Sequence, residues 1–243
     1  MTPEEARARL LGRGLSPAQA DVLVAHFEEA DRRGKRGHGL SRVEWLEQQA
    51  FDPSARPQQT LADEGFERWE GAGALGYLVL HEIVERPLAS PPRRARVVVA
   101  ERCFPTGVLG YWARRLAEGG LVVALTATSP RRLPHPRGGP PLTGTNPLAL
   151  AIPSGDGRPL VADVSMGAVT HGDVLVGAAS PDELVPFGGE HAHKAFALAV
   201  GLELLVGALS GPEPGAVLVA ARPEHDPVPA LRALADGLRL PGD

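Results

Sequence analysis

Gly144-Thr145-Asn146-Pro147-Leu148-Ala149-Leu150 is a tight corner running straight into an apolar segment. Gly144 lets another backbone come close, Asn146 tolerates a left-handed conformation, and Pro147 fixes the next φ. What surrounds this stretch decides the fold class. Upstream lie LVVALTA (121–127), rich in β-formers, and then the turn-formers RRLPHPRGGPPLT (131–143). Downstream, PLALAIP (147–153) and RPLVADVSM (158–166) flank Gly155-Asp156-Gly157 as two strands around a turn. A sheet therefore occupies the middle of the chain.

Helical periodicity dominates both flanks. Ser16-Pro17 is an N-cap and first turn before AQADVLVAHFEEADRRG, where Ala20, Leu23, Val24 and Phe27 share a face and Gly34 ends the run. A second helix is expected from about Gly39 through SRVEWLEQQ, and a third over Gly73–Arg86. Residues 51–67 read as an extended excursion. ARVVVAE (95–101) is β-rich, TGVLGYWARRLAEGG (106–120) helical, GAVLVAA (215–221) a strand and VPALRALADGL (228–238) a last helix. KAFALAVGLELLVGALSG (194–211) is the most apolar helix and is expected to be central. The class is α/β or α+β. One compact unit is expected, with a helical segment at 1–70 packing with 205–243 against a sheet body at 71–204.

A chain of 243 residues can bury a real core, and a net charge of −4 gives no reason to expect nucleic acid or a membrane surface as partner. Arg32, Arg33, Lys35 and Arg36, like Arg93, Arg94 and Arg96, lie beside acidic or apolar sequence and read as solvated faces. The single cysteine, Cys103, rules out an internal disulfide and a multi-cysteine zinc site. MTPEEARARLLGRG lacks the apolar core of a secretion signal, and no apolar run is read as long enough to span a bilayer. A cytoplasmic location is the expectation.

Four stretches could carry chemistry. In RGHGLSR (36–42), a helix starting near Gly39 would put His38 and Arg42 one turn apart on one face. An imidazole can exchange a proton with a substrate oxygen or nitrogen, and a guanidinium can grip a carboxylate through two parallel hydrogen bonds. On spacing alone, a capping histidine beside a surface arginine is the simpler reading. In GTNP, exposed amides and the Thr145 hydroxyl could meet a ligand, or the stretch is simply a turn. In ADVSMGAVTHG (162–172), Asp163 ends an apolar strand, where a carboxylate needs partners. It can orient a histidine, accept from a ribose hydroxyl, or cap the next segment. In PFGGEHAHKAF (186–196), His191, His193 and Lys194 precede the apolar helix, and a glycine loop opening into a helix suits an anion or nucleotide better than a metal. No metal site is expected.

Taken in order, these stretches resemble the malate/L-lactate dehydrogenase family of NAD(P)-dependent oxidoreductases. The resemblance runs through ADRRGKRGHGLSR, FERWEGAGALGY, GYWARRLAEGGLVVALTATSP, PRGGPPLTGTNPLALAIPS, VADVSMGAVTHG, PFGGEHAHKAFALAVGLELLVGALSG and RLPGD. It implies a non-Rossmann α/β fold and a homodimer whose cleft both subunits complete. His38 matches the proton donor and acceptor, with Asp163 joining it in catalysis, and Arg42, Thr145 and Asn146 match substrate-holding positions. Gly144, Thr145, Asp163, Val164, Ser165, Met166, His193 and Lys194 match the cofactor side, with NADH or NADPH as cofactor and a small 2-oxo, 2-hydroxy or cyclic 2-imino carboxylate as substrate.

Several positions depart from the pattern. Gly37 replaces the usual serine before the catalytic histidine, and Ala195 replaces the glycine after Lys194. ERCFPTG (101–107) has no histidine where the family has an Asn-x-His element, and the stretch between VTHGDV and VPFGG is short. A degenerate member acting as a binding or regulatory protein is the alternative these departures suggest.

Overall fold

The structure, a computed structural model, describes residues 1–242. Two helices open it, α1 (Pro3–Gly12) and α2 (Pro17–Arg32), each started by a capping box, Thr2 with Glu5 and Ser16 with Gln19. A single 3-10 turn at Arg36–His38 leads to the short α3 (Arg42–Glu47). Next come the hairpin β1 (Gln58–Asp63) and β2 (Phe66–Glu70), α4 (Gly76–Ala89), β3 (Ala95–Glu101), α5 (Leu109–Glu118) and β4 (Val122–Ala127). A two-stranded ribbon, β5 (Leu133–Pro134) and β6 (Pro141–Thr143), precedes β7 (Leu148–Ile152) and β8 (Leu160–Val164). The chain then passes through α6 (His171–Leu175), α7 (Ala192–Ser210), β9 (Ala216–Ala221) and α8 (Val228–Ala235).

Seven strands form one mixed sheet in the order β1-β2-β3-β9-β4-β7-β8. Only β2 and β3 pair in parallel, joined through α4 as a crossover, while the other neighbours are antiparallel. Strand alternation sorts the two faces. Val98, Ala100, Val123, Leu125, Ala149, Ala151, Leu218 and Ala220 join Phe27, Tyr77 and Trp112 in the main core, beneath α2, α4 and α5. Each fully buried Leu or Phe there contributes roughly 1.5–3 kcal/mol. On the opposite face Val97, Val99 and Val217 meet Val206 and Leu209 of α7.

The structure differs from the sequence expectations at identifiable places. Residues 51–67 are not one excursion, because residues from Gln58 onward pair as a hairpin around Glu64–Gly65. The boundary at residue 205 cuts through α7, and β9, from the supposed companion of the N-terminal helices, lies inside the sheet between β3 and β4. Gly242, near the chain end, lies between the end of α2 and α5, its carbonyl accepting from Arg33 and Arg114. α7 is peripheral, with Leu198, Leu204 and Leu205 exposed. It is apolar around most of its circumference, so periodicity has no polar face to mark which side is buried. Gly189–Ser210 is also long and apolar enough, by length and composition, to cross a membrane, against the expectation; here it packs on β3, β4 and β9.

Candidate active site

A cavity of about 340 Å³ opens where the 3-10 turn, α3, the loop before α5, the loop after β4 and the loop after β8 converge. His38 and Arg42 both line it, though not for the expected reason. Gly39 is extended (ψ −158°), so α3 starts only at Arg42, and the two side chains come from separate short elements rather than successive turns of one helix. Arg42 is 6% exposed, and its guanidinium lies 4.1 Å over the Trp45 ring. Its buried Nε and Nη1 atoms have no hydrogen-bond partner among the described residues. Nδ1 of His38 is likewise buried without a partner. Burial first, then the charges of Arg42 and Lys35, push the His38 imidazole down to about 4, against weaker pulls from Asp173 and Asp163.

The glycine at position 37 has a structural reason. A Cβ there would stand 2.4 Å from the backbone carbon of Gly172, and one on Gly172 would stand 2.2 Å from the Gly37 carbonyl oxygen. Two facing glycines let α6 close onto the 3-10 turn, which brings His171 to the cavity wall. Burial, Arg132 and Arg42 hold the His171 imidazole down to about 4. Another histidine braces the loop before α5. His26, fully buried in α2, accepts a hydrogen bond from the Val108 N–H at 3.0 Å and stacks on Trp112. It thereby ties α2 to the loop Phe104–Val108, whose residues line the cavity where the expected histidine is missing.

Asp163 is in place, and its partner is Lys35, whose Nζ donates at 2.7 Å. Lys35 is therefore not on a solvated face, as its basic neighbours suggested; it lines the cavity. Thr145 and Ser165 line it too. Asn146 does not. Its side chain is fully buried on the far side of the corner, donating to Thr143 Oγ1 (2.8 Å), the Ala199 carbonyl (3.0 Å) and Glu203 Oε2 (2.6 Å), and accepting from the Ser129 N–H (3.2 Å). Asn146 takes a left-handed φ of +30°, so the corner turns as its composition requires and the amide is used up locking β6, α7 and the loop after β4 together. A Cβ on Gly144 would strike Asn146 and Ser129, so Gly144 serves the same packing. Met166 sits in a small apolar cluster with Leu133 and Ala199 rather than in the cleft. His193 and Lys194 are exposed at the start of α7 and line no cavity described here.

A second cavity, of about 590 Å³, shares Lys35, Val108 and Asp163 with the first. Val164 lines it, with Arg32, Arg33, Arg114 and Arg239 around it. One Gly-x-Gly-x-x-Gly sequence does occur, Gly71–Gly76 between β2 and α4, but it is a motif match without a phosphate cradle. A Cβ on Gly76 would stand 2.6 Å from the Phe104 nitrogen and one on Gly71 2.3 Å from the Arg102 carbonyl oxygen, so those glycines accommodate the neighbouring loop. Among the described residues no cluster of three or more His, Cys, Asp or Glu side chains could hold a metal ion. Sequence reasoning missed Lys35, Arg132 and His171. Lys35 and His171 stand inside stretches already singled out, whereas Arg132 sits in a turn run that gives no local signal.

The architecture is the α/β, non-Rossmann arrangement of malate/lactate dehydrogenase-like structures. A family model described as malate/L-lactate dehydrogenase matches residues 3–184, and the chain belongs to that family. It is 31% identical over 230 residues to a Delta(1)-pyrroline-2-carboxylate/Delta(1)-piperideine-2-carboxylate reductase of Pseudomonas putida, a match covering 82% of this chain and 66% of that protein. It is 29% identical to an L-lactate dehydrogenase of Cupriavidus necator, over 84% of this chain and 70% of the other. The chain thus spans about two thirds of the length of these relatives. Among solved structures, a dehydrogenase from Sinorhizobium meliloti superposes with a TM-score of 0.78 at 26% identity, over 100% of this chain and 86% of that one. The delta1-piperideine-2-carboxylate reductase of Pseudomonas syringae pvar. tomato shares the fold, with a TM-score of 0.84 at 24% identity over 99% and 89% of the two chains.

Proposed function

We propose that this protein is an NADH- or NADPH-dependent oxidoreductase that moves a hydride to or from C2 of a small 2-oxo (2-hydroxy) or cyclic 2-imino carboxylic acid. The observation that carries this reading is Arg42, a buried guanidinium with two unpartnered nitrogens on the wall that also holds His38. An unpaired buried charge is costly unless a ligand completes it, and a carboxylate is the planar anion that fits a guanidinium. The donor set also suits a dinucleotide: hydroxyls of Ser129, Thr145 and Ser165 in the first cavity fit an amide and ribose, and the arginines of the second fit phosphates. The nicotinamide, when bound, supplies or takes the hydride.

The remaining work falls to the chain. With the site empty of substrate, His38 is neutral at pH 7 and ready to accept a proton in the oxidising direction. A substrate carboxylate on Arg42 cancels the nearby positive charge and raises the affinity of His38 for a proton. The imidazolium that donates to the C2 oxygen or nitrogen in reduction is thus favoured only with substrate in place. The Lys35–Asp163 pair beside it supplies a fixed dipole and separates the two cavities. We assign the exposed apolar side of α7 to a homodimer contact, and a monomeric mass by light scattering would remove that part.

His38→Ala should abolish turnover across a panel of 2-oxo acids and cyclic imines while nicotinamide fluorescence still reports cofactor binding. Full turnover in that variant would sink the assignment. A non-catalytic binding protein, favoured by the absence of a histidine at residues 101–107, predicts no turnover in the wild type either.

A further inference from the structure

We propose that the substrate site is built for a dianion, a short 2-oxo or 2-hydroxy acid with a second carboxylate or a sulfonate, and that Arg132 is the residue that selects it. The inference rests on the hydride-transfer reading above and adds the substrate's charge.

Arg132 follows β4 in Ser129-Pro130-Arg131-Arg132 and is pinned by its own N–H, which donates to the Thr143 carbonyl at 2.9 Å. Its half-buried side chain lines the same cavity as Arg42 and forms no ion pair among the described residues. The carboxylates that line the cavity are already engaged: Asp163 binds Lys35, and Asp173 accepts from the Thr170 hydroxyl and N–H as the cap of α6. Two guanidiniums therefore share one cavity with no free carboxylate to balance them. The cost is visible at Arg132, whose affinity for its proton is lowered by burial and then by Arg42. His171, between them electrostatically, is held neutral for the same reasons.

A single substrate carboxylate on Arg42 would leave Arg132 unbalanced. A second acidic group on the same small molecule completes both and removes their mutual repulsion. Apolar surface from Phe104, Pro105 and Pro147 in the same cavity strengthens the effect, since it excludes the water that would otherwise screen the charges.

The test uses the full chain with two matched pairs, oxaloacetate against pyruvate and malate against lactate, read by NAD(P)H absorbance and by calorimetric binding. The wild type should favour oxaloacetate over pyruvate in kcat/KM by about 100-fold. Arg132→Gln should cut that ratio by about 10- to 100-fold, chiefly through KM for oxaloacetate, the scale of one charge-assisted contact. Arg132→Lys should restore part of it. Equal use of pyruvate and oxaloacetate by the wild type would overturn the proposal. So would a ratio unchanged by Arg132→Gln, or a loss confined to cofactor affinity, which would assign Arg132 to the cofactor's phosphates. Should no substrate turn over while malate still binds more tightly than lactate in an Arg132-dependent way, the dianion site stands and the hydride-transfer reading falls. Absence of binding by either acid would remove both.

Discussion

Two buried polar clusters lie close together in this molecule and are built on opposite principles. Around Asn146 the side-chain amide has partners for both its oxygen and its nitrogen, and Glu203 receives bonds from Thr143, Gly144 and Asn146 at once. Around Arg42 two guanidinium nitrogens have none, and Nδ1 of His38 also lacks a partner. Satisfied polar groups rigidify a fold, whereas unsatisfied ones in a cavity mark where the fold waits for a ligand. The contrast separates architecture from chemistry at two sites to which motif position alone had given the same role, Arg42 and Asn146.

The comparison can be broken by exchanging its sides. Arg42→Gln should lower kcat/KM at least about 100-fold, the scale of a lost bidentate charge-assisted contact, while leaving the melting temperature unchanged or slightly raised. Removing an unpaired buried charge relieves the folded state. Asn146→Ala should do the reverse, destabilising the fold by about 3 kcal/mol, because it strips buried partners from Ser129, Thr143 and Glu203 and leaves alanine in a left-handed conformation. Loss of catalysis without loss of stability in Asn146→Ala, measured by denaturant unfolding and steady-state kinetics together, would invert the assignment.

The smallest effect concerns His26, satisfied at Nε2 and buried at Nδ1. Burial and then the nearby His38 push it down to about 3, below the ordinary value near 6.5 of an unfolded chain. The folded state therefore resists a proton that the unfolded state accepts. The stabilisation is complete above pH 6.5 and is lost as pH falls from there through about 3. Thermal melts from pH 7 to pH 4 should show a shallower decline in His26→Gln, which keeps an acceptor for Val108. An identical decline would remove His26 from the account.

Much of the fold was legible from local sequence. Ser16-Pro17 and the Ala20, Leu23, Val24, Phe27 stripe predict α2, and ARVVVAE predicts β3 residue for residue. The apolar runs at 147–153 and 158–166, set around Gly155-Asp156-Gly157, predict β7 and β8. These are short-range matters, decided by capping, φ preference and period. The hairpin at 58–70 and the insertion of β9 between β3 and β4 were not legible, because strand order depends on pairing partners far apart in the chain. The peripheral placement of α7 escaped for another reason: an all-apolar helix carries no mark of which face is covered.

For the site, the sequence by itself determined which residue types were available: His38, Arg42, Thr145 and Asp163 in an order that resembles one family. Only the tertiary structure decided their use. It turned Asn146 and Met166 inward, left His193 and Lys194 outside the cavities, paired Asp163 with Lys35, and brought Arg132 and His171 into the cavity that His38 and Arg42 line. The physical reason is that a side chain's role depends on whether its hydrogen bonds and charge are met by neighbours, and those neighbours come from distant segments, 57 residues away for Asn146 and Glu203 and 128 for Lys35 and Asp163.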